Sequence, residues 1–247
     1  VYIDSEWGNK VKENSVIPSF KIGNNNDSNL RILEEKLFPN INLKIEINED
    51  KHDINLNVTG PNFNLNFLLA LSMAYFSEKL DIQNYEENFQ NIQNPKGRFE
   101  IINFKSNKIV VDYAHTPDAI KTTVDFVTQY FSNVILVFGA GGDRDTEKRL
   151  LMGNSTKNAD KIIITNDNPR HEDPEKIAND ILEGCDKEKT VVILDRKEAI
   201  TYGINQLKDN SVLLVLGKGH EMYQEIKNKK IDFNDFDYIS DLLGDIS

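Results

Sequence analysis

Charged and amide side chains in this sequence collect directly after short apolar runs. The clearest case is the stretch 161–174, KIIITNDNPRHEDP, in which a β-branched run precedes Asp167, Asn168, Pro169 and Arg170. The run predicts a short buried strand, and Pro169 ends it, because proline lacks an N–H and fixes φ. The stretch therefore predicts a polar turn at a strand end, where an arginine can bind a carboxylate or phosphate with two hydrogen bonds.

The same arrangement recurs after four other predicted strands. The polar residues concerned are Asp112 and His115, Asp143 and Arg144, Asp195 and Arg196, and the run from Gly217 to Glu221. The carboxyl ends of parallel strands share one edge of a sheet, and ligands bind at that edge. Each turn alone can equally be a solvated loop, but five together predict a single polar site.

Alternating strands and helices must position these turns. Apolar runs of strand length include 109–111, 134–138, 162–165 and 212–216, and helical patterns fall at about 119–130, 148–159 and 198–207. Such alternation predicts an α/β fold with a Rossmann-like, mostly parallel sheet and flanking helices.

The first part of the chain has a different pattern. Residues 41–47 and 54–58 alternate between apolar and polar types, which is typical of half-buried antiparallel strands. A long apolar helix is predicted at about 64–80, and Asn66 lies in its first turn, where it can begin the helix or contact a ligand. The proline and glycine of 94–97 mark a candidate domain boundary.

Composition narrows the class of function. The net charge of −11 argues against nucleic acid as a main partner. A single cysteine, Cys185, excludes an internal disulfide and a cysteine-based zinc cluster, and the four histidines lack metal-binding spacing. No signal peptide or spanning segment is recognisable, so a cytoplasmic protein without a membrane partner is expected.

Two glycine-rich turns invite a nucleotide interpretation. Gly139, Gly141 and Gly142 match the dinucleotide fingerprint poorly, and we expect them instead to allow a tight turn with positive φ. The Gly217 turn resembles a phosphate loop only superficially, because the full G-x-x-x-x-G-K-[ST] motif is absent.

Six motifs in a fixed order carry a family resemblance. They are GRFE at 97–100, DYAHTPD at 112–118, FGAGGDRD at 138–145, DNPR at 167–170, DR at 195–196 and GKGHE at 217–221. With these motifs the chain resembles the Mur ligases from about residue 60 to the C-terminus. The resemblance implies that residues 1–96 are the end of a mixed α/β central ATP-binding domain without its phosphate loop, and that 97–247 are the Rossmann-like C-terminal domain.

The resemblance also implies an activity. It is that of the branch adding the third residue of the peptidoglycan stem peptide: ATP, with Mg²⁺, phosphorylates the D-Glu carboxylate of UDP-MurNAc-L-Ala-D-Glu, and an amine attacks the acyl phosphate. The chain begins without methionine in what reads as the middle of a strand. We therefore expect a piece of a longer, monomeric ligase that is inactive alone.

Site residues follow from the resemblance position by position. It implies that the incoming diamino acid is held by Arg144, Asp167, Asn168, Pro169, Arg170, Gly217 and Glu221. It implies for the nucleotide that Asn66 contacts the adenine, Arg98 the phosphates and Asp112 the ribose, with His115 in the same site and no assigned role. The Asp-Asn-Pro-Arg form is linked to meso-diaminopimelate rather than lysine, and lanthionine fits the same clamp.

Two alternatives remain open on the sequence alone. One is a folylpolyglutamate synthetase-like ligase, which shares the architecture and takes glutamate. The other is a non-catalytic nucleotide-binding Rossmann module, against which the broken glycine fingerprint tells. A departure from the family pattern is the polar run Asn154, Ser155 and Thr156, which falls in the middle of a predicted helix.

Overall fold

The computed structural model describes residues 1–17, 19–78 and 80–244. The chain divides into two compact units, Val1–Asn94 and Pro95–Ser247.

The first unit is built on a five-stranded sheet. Its elements are β1 (Tyr2–Ile3), α1 (Glu6–Glu13), β2 (Lys21–Gly23), β3 (Leu30–Lys36), β4 (Ile41–Ile47), β5 (Asp50–Leu56), α2 (Phe63–Glu78), a 3₁₀ turn (Ile82–Asn84) and α3 (Glu86–Phe89). The strand order is β1-β2-β3-β4-β5, in which β1–β3 pair in parallel and β3–β5 antiparallel. Alternate residues of β4 are buried, as their period-two pattern predicts, and Leu68 and Leu71 of α2 join that core.

The second unit is a doubly covered α/β sheet. Its elements are β6 (Glu100–Phe104), β7 (Asn107–Asp112), α4 (Pro117–Val127), β8 (Asn133–Phe138), α5 (Glu147–Asn154), β9 (Lys161–Ile164), α6 (Pro174–Leu182), β10 (Thr190–Val192), α7 (Arg196–Asn205), β11 (Ser211–Leu216), β12 (Tyr223–Ile226), β13 (Lys229–Asp232) and α8 (Asp235–Gly244). The six-stranded sheet has the order β10-β9-β8-β11-β7-β6 and is parallel except for the β6–β7 hairpin. The predicted α/β class is confirmed.

Burial on both faces explains the apolar runs of the central strands. On one face Ile135 and Val137 of β8 pack with Ile200 of α7 and Ile239 of α8. Helices α4, α5 and α6 cover the other face. All six residues of β11 are buried between β7 and β8. The carboxyl ends of β7, β8, β9 and β11 consequently lie side by side at one edge of the sheet.

Helix α5 is shorter than predicted and corrects the interpretation of its polar end. It stops at Asn154, so Ser155 is its C-cap and Thr156 lies beyond it. The side chains of Asn154, Ser155 and Thr156 donate hydrogen bonds to the carbonyls of Leu150, Leu151 and Gly153, and so add to the backbone hydrogen bonds that close the helix end. The helix packs tightly on α6, because a Cβ at Gly153 would lie 2.2 Å from the carbonyl oxygen of Ile181.

Two further elements have no counterpart in the sequence-based prediction. The β12–β13 hairpin turns through Lys227 and Asn228, which both have positive φ. Within the residues that the structure describes, its two strands pair with each other, and one isolated bridge joins Ile226 to Arg170. Helix α8 begins after Asn234, whose side chain accepts a hydrogen bond from the N–H of Asp237. Both elements contribute to the carboxyl edge of the sheet.

Candidate amino-acid site

A pocket of about 570 Å³ lies at the carboxyl edge of the second unit's sheet. Its walls come from the turns that follow β7, β8, β9 and β11, together with α5 and β12. The lining residues are Tyr113, His115, Thr116, Ala140, Gly141, Arg144, Asp145, Lys148, Arg149, Met152, Asp167, Asn168, Arg170, Gly217, Glu221 and Tyr223. Six of the seven residues predicted for the amino acid line this one pocket. Pro169, the seventh, is buried behind it.

Arg170 is held in place by the hairpin. Its backbone has φ +49°, its N–H donates to the carbonyl of Glu225 (3.1 Å), and its carbonyl accepts from the N–H of Lys227 (2.8 Å). Its guanidinium donates through Nη1 to the carbonyl of Gly142 (2.7 Å) and through Nε to Oε2 of Glu225 (3.2 Å). The side chain is therefore oriented before any ligand arrives, and Nη2 remains for a carboxylate.

The glycines after β8 act by close approach rather than by unusual φ. None of the three has positive φ, which corrects the expectation from the sequence; Asp143 adopts it instead (+53°). A Cβ at Gly142 would lie 2.1 Å from the carbonyl oxygen of Pro169, and one at Gly141 would lie 2.9 Å from Nη1 of Arg170. The turn thus needs glycine so that the 166–170 loop can pack against it.

Arg144 is an exposed cation at the pocket wall. It lines the cavity and makes no ion pair with any carboxylate in the described part of the chain. An arginine without a protein counter-ion at a pocket wall suits a bidentate contact with an incoming carboxylate.

A closed set of hydrogen bonds joins Asn168, Lys218 and Glu221. Nδ2 of Asn168 donates to Oε2 of Glu221 (2.8 Å), and Nζ of Lys218 donates to the same oxygen (2.8 Å) and to Oδ1 of Asn168 (3.0 Å). Burial opposes ionisation of Glu221, but the hydrogen bonds from Lys218 and Asn168 outweigh it and lower the pKa of this carboxyl. Glu221 is therefore a carboxylate at the pocket wall.

Asp167 is the buried acid of the pocket. Only 9% of the residue is exposed, and burial raises the pKa of its carboxyl, although the nearby cations Arg196 and Lys218 act in the opposite direction. Gly217, with φ +112°, leaves it room, because a Cβ there would lie 2.7 Å from Oδ2 of Asp167.

Among the residues predicted for the nucleotide, His115 alone is a lining residue of this pocket. His115 lines the pocket and donates from Nδ1 to the carbonyl of Tyr113 (2.7 Å), which leaves Nε2 available. Arg98 does not line the pocket; its guanidinium lies over the ring of Tyr113, 4.7 Å from the centroid. Asn66 belongs to α2 of the first unit.

Asp112 joins two loops rather than facing the pocket. Its carboxylate accepts hydrogen bonds from the N–H groups of Phe99 (2.7 Å) and Ala114 (2.8 Å). Burial raises the pKa of Asp112, and these backbone bonds offset the effect in part. The aspartate thereby fixes the GRFE motif against the end of β7.

The turn after β10 does not join the pocket, which corrects the expectation of five converging turns. Asp195 is the N-cap of α7, where it accepts a hydrogen bond from the N–H of Glu198. Arg196 is buried and forms an ion pair with Asp235 of α8 at 2.7 Å. Strand β10 is the border strand of the sheet, and Arg196, the first residue of α7, pairs with α8 instead of lining the pocket.

Three residues that sequence reasoning did not assign to the site help to build it. Lys218 is inside the GKGHE motif, but its burial could not be read from the motif. Arg149, one arginine within the apolar run RLLM, is 1% exposed and bonds Glu172 (2.8 Å) and Asp180 (2.9 Å). Tyr223 belongs to the unpredicted hairpin.

Comparison with known proteins identifies the second unit. The family described as "Mur ligase, glutamate ligase domain" matches residues 97–219. The UDP-N-acetylmuramoyl-L-alanyl-D-glutamate--2,6-diaminopimelate ligase of Rickettsia conorii (strain ATCC VR-613 / Malish 7) is 42% identical over 203 residues, which are 80% of this chain and 42% of that protein. The chain belongs to the Mur ligase family.

Other relatives extend this Mur ligase assignment. A ligase of the same name from Clostridium botulinum (strain ATCC 19397 / Type A) is 33% identical across 100% of this chain and 52% of its own length. A solved structure of such a ligase has a TM-score of 0.69 at 28% identity, covering 96% of this chain and 50% of that one. This Mur ligase chain thus spans about half the length of the relatives it matches, or less.

A more distant neighbour shares the fold alone. The folylpolyglutamate synthase of Mycobacterium tuberculosis, solved with ADP and AMPPCP, has a TM-score of 0.64 at 19% identity. The interpretation as a stand-alone nucleotide-binding module is not supported, because the relatives from Rickettsia and Clostridium carry ligase names. No helix in the described part of this Mur ligase is long and apolar enough to span a membrane.

Proposed function

We propose that this chain provides the amino-acid site of an ATP-dependent ligase of peptidoglycan precursor synthesis. The full protein would add a diamino acid, meso-diaminopimelate or lanthionine, to the D-Glu of UDP-MurNAc-L-Ala-D-Glu. The observation that carries the proposal is the charge pattern of one pocket, whose lining includes the cations Arg144 and Arg170 and the carboxylate of Glu221. A free amino-acid end carries a carboxylate and an ammonium, and this pocket offers partners for both. The names of the curated relatives support this choice of substrate.

Each pocket residue has a role in this proposal. Arg170 and Arg144 bind carboxylates, and Glu221 accepts hydrogen bonds from an ammonium. Asp167 and Gly217 form the floor. Asn168, whose side chain is already engaged by three neighbours, holds Glu221 and the hairpin in position, since its Oδ1 also accepts from the N–H of Glu225 (2.9 Å). Pro169 shapes the loop behind them.

For the nucleotide we propose Asn66 at the adenine, Arg98 at the phosphates and Asp112 at the ribose, with His115 in the same site and without an assigned role. ATP, when bound, supplies the phosphoryl group that activates a carboxylate. The described residues contain no group of three or more His, Cys, Asp or Glu side chains arranged to hold a metal. We propose that Mg²⁺ enters with ATP in the full protein, since this ion is commonly bound through one or two carboxylates together with substrate phosphates.

The remaining proposals concern the whole protein. Residues 1–96 would be the end of the central ATP-binding domain and 97–247 the C-terminal domain. We propose a cytoplasmic monomer, and we expect no ligation by this chain by itself, because its sequence contains no phosphate-loop motif.

Calorimetry on the chain tests the amino-acid site. We expect meso-diaminopimelate and lanthionine to bind, and L-lysine, L-glutamate and NAD to bind much more weakly. Arg170→Ala should weaken diaminopimelate binding roughly tenfold to hundredfold, because a charge-assisted hydrogen bond contributes about 1.5–3 kcal/mol. Lys176→Ala, on the exposed side of α6, is the matched control.

Three results would contradict the proposal. Lysine binding as tight as diaminopimelate binding would remove the need for a second carboxylate clamp. Unchanged affinity in a folded Arg170→Ala protein would show that Arg170 does not bind a carboxylate of the ligand. Glutamate binding alone would favour the folylpolyglutamate synthetase-like alternative.

A further inference from the structure

Lys218 is a buried cation that does not reach the pocket. Its side chain has no exposed surface, and it is absent from the pocket walls. A buried ammonium is costly unless charged and polar partners satisfy it. Its partners are Oδ1 of Asn168 (3.0 Å) and Oε2 of Glu221 (2.8 Å), and both residues do line the pocket.

The bonds of Lys218 leave one oxygen of Glu221 free. Oε2 accepts from both Lys218 and Asn168, whereas Oε1 makes no hydrogen bond to any residue in the described ranges. The amide of Asn168 has only one orientation that satisfies Lys218, Glu221 and the N–H of Glu225 together. The triad therefore fixes the direction of the Glu221 carboxylate.

We propose that Lys218 is a positioning residue that keeps Glu221 charged and aims Oε1 at the ammonium of the amino-acid ligand. Lys218 itself touches no ligand. The inference rests on the proposed function for the identity of the ligand, but the link between Lys218 and Glu221 can be measured without one.

Other charged groups also face Glu221, and Lys218 is the one that bonds it. Arg170 acts in the same direction from the loop after β9, as a charge without a hydrogen bond. Asp167 and Arg196 interact with Glu221 electrostatically from the same edge, with opposite signs. Among the described charged side chains, only Lys218 donates a hydrogen bond to this carboxylate.

Lys218→Met tests the proposal, because methionine fills a similar volume without a charge. Carbon-13 NMR of labelled glutamate carboxyls, with Glu221 assigned by comparison with Glu221→Gln, follows the titration of this one group. In the parent chain the pKa of Glu221 should lie below its ordinary value, and in Lys218→Met it should rise above the parent's. Lys161→Met is the control. It removes a lysine from the amino end of β9, the end away from the pocket, and should leave the pKa of Glu221 unchanged.

Binding gives the second measurement. Lys218→Met should weaken diaminopimelate binding roughly tenfold to hundredfold, which is the range expected for one charge-assisted contact. The loss should grow as the pH falls through the raised pKa of Glu221. The double variant with Glu221→Gln should bind no worse than Glu221→Gln alone, because Lys218 acts through that residue.

The outcomes separate the inference from the proposed function. If the parent chain binds no diamino acid but the pKa of Glu221 responds to Lys218→Met, the function fails and the positioning role stands. If a folded Lys218→Met leaves the pKa of Glu221 unchanged, or if its binding loss adds to that of Glu221→Gln, the positioning role is wrong. Should Lys218→Met fail to fold, Lys218→Gln, which retains donors without charge, is measured in its place with the same expected directions.

Discussion

Two buried cations at the carboxyl edge of the second unit's sheet are used in opposite ways. Arg196 pairs with Asp235, and the side chains of both are sealed, with 1% and 0% exposed. Lys218 is equally buried, but 24% of the side chain of its partner Glu221 is exposed at the pocket. The difference shows that a buried cation paired with a carboxylate can have two different roles. A counter-ion closed inside the protein fixes the fold, and one that opens on a cavity is available to a ligand.

Breaking the sealed pair should have the largest effect. Asp235→Ala leaves the guanidinium of Arg196 buried with only the carbonyls of Leu216 (3.0 Å) and Asn166 (3.3 Å). Removing one partner of a buried ion pair typically costs about 3–5 kcal/mol. We expect a loss of that size in the free energy of unfolding by denaturant, and a replacement of both residues by Met and Leu should recover much of it.

Asp237→Ala is the control for this prediction, since Asp237 lies on the exposed side of the same helix turn. It should change stability by no more than about 0.5 kcal/mol. An Asp235→Ala protein as stable as this control would show that the sealed pair does not hold α8 to the sheet.

Asp167 interacts electrostatically with both cations, and its titration allows a test by pH. Its pKa is raised mainly by burial, so the folded protein holds this proton more tightly than the unfolded chain, where the pKa is about 3.9. Stability therefore falls as pH rises from about 4 through the folded pKa. Asn does not titrate, so Asp167→Asn should gain stability relative to the parent across that window.

Melting temperatures of both proteins from pH 4 to pH 8 check this prediction. Ser15→Ala, a partly exposed and uncharged position in the first unit, is a control that should show no such trend. A difference between Asp167→Asn and the parent that stays constant over this pH range would mean that the carboxyl is not destabilised by its burial.

The sheet and most of the pocket follow from local sequence signals. A β-branched run cut off by Pro169 predicts both a strand and the turn after it, and repetition of that pattern predicts a shared edge. The same signals cannot tell which of these turns will not line the pocket. Asp195 and Arg196 follow a strand as Asp143 and Arg144 do, and only the position of β10 at the sheet border sends Arg196 toward α8.

Burial and long-range pairing account for the rest of what sequence reasoning missed. The GKGHE motif does not reveal whether Lys218 is exposed or buried. Its partner Asn168 lies about fifty residues earlier in the chain. The hairpin had a local signal in Asn228, a residue that tolerates positive φ. Its effect on Arg170 depends on tertiary contacts that no local pattern contains.

The smallest expected effect concerns His171, an exposed residue that follows the 166–170 loop. Nδ1 lies 2.8 Å from Oδ2 of Asp143, and Nε2 lies 2.8 Å from Oδ1 of Asn228. Both partners are acceptors, so the ring satisfies them only as an imidazolium that donates from each nitrogen. The hydrogen bond to Asp143, followed by the one to Asn228, raises the pKa of His171 above its ordinary value. The contact joins the glycine-rich turn to the hairpin that orients Arg170.

A histidine whose pKa is raised on folding stabilises the protein fully below its unfolded pKa of about 6.5, and this contribution is lost as pH rises through the folded pKa. Because His171 is exposed, the effect on global stability should be small and is best measured locally. Proton NMR should give a pKa above 6.5 that drops in Asp143→Asn and less so in Asn228→Ala. Amide exchange at Lys227, which bonds the carbonyl of Arg170, should quicken above that pKa by more than base catalysis alone predicts. A pKa of His171 at or below 6.5 would mean that the hairpin is held by Arg170 and Glu225 without this contact.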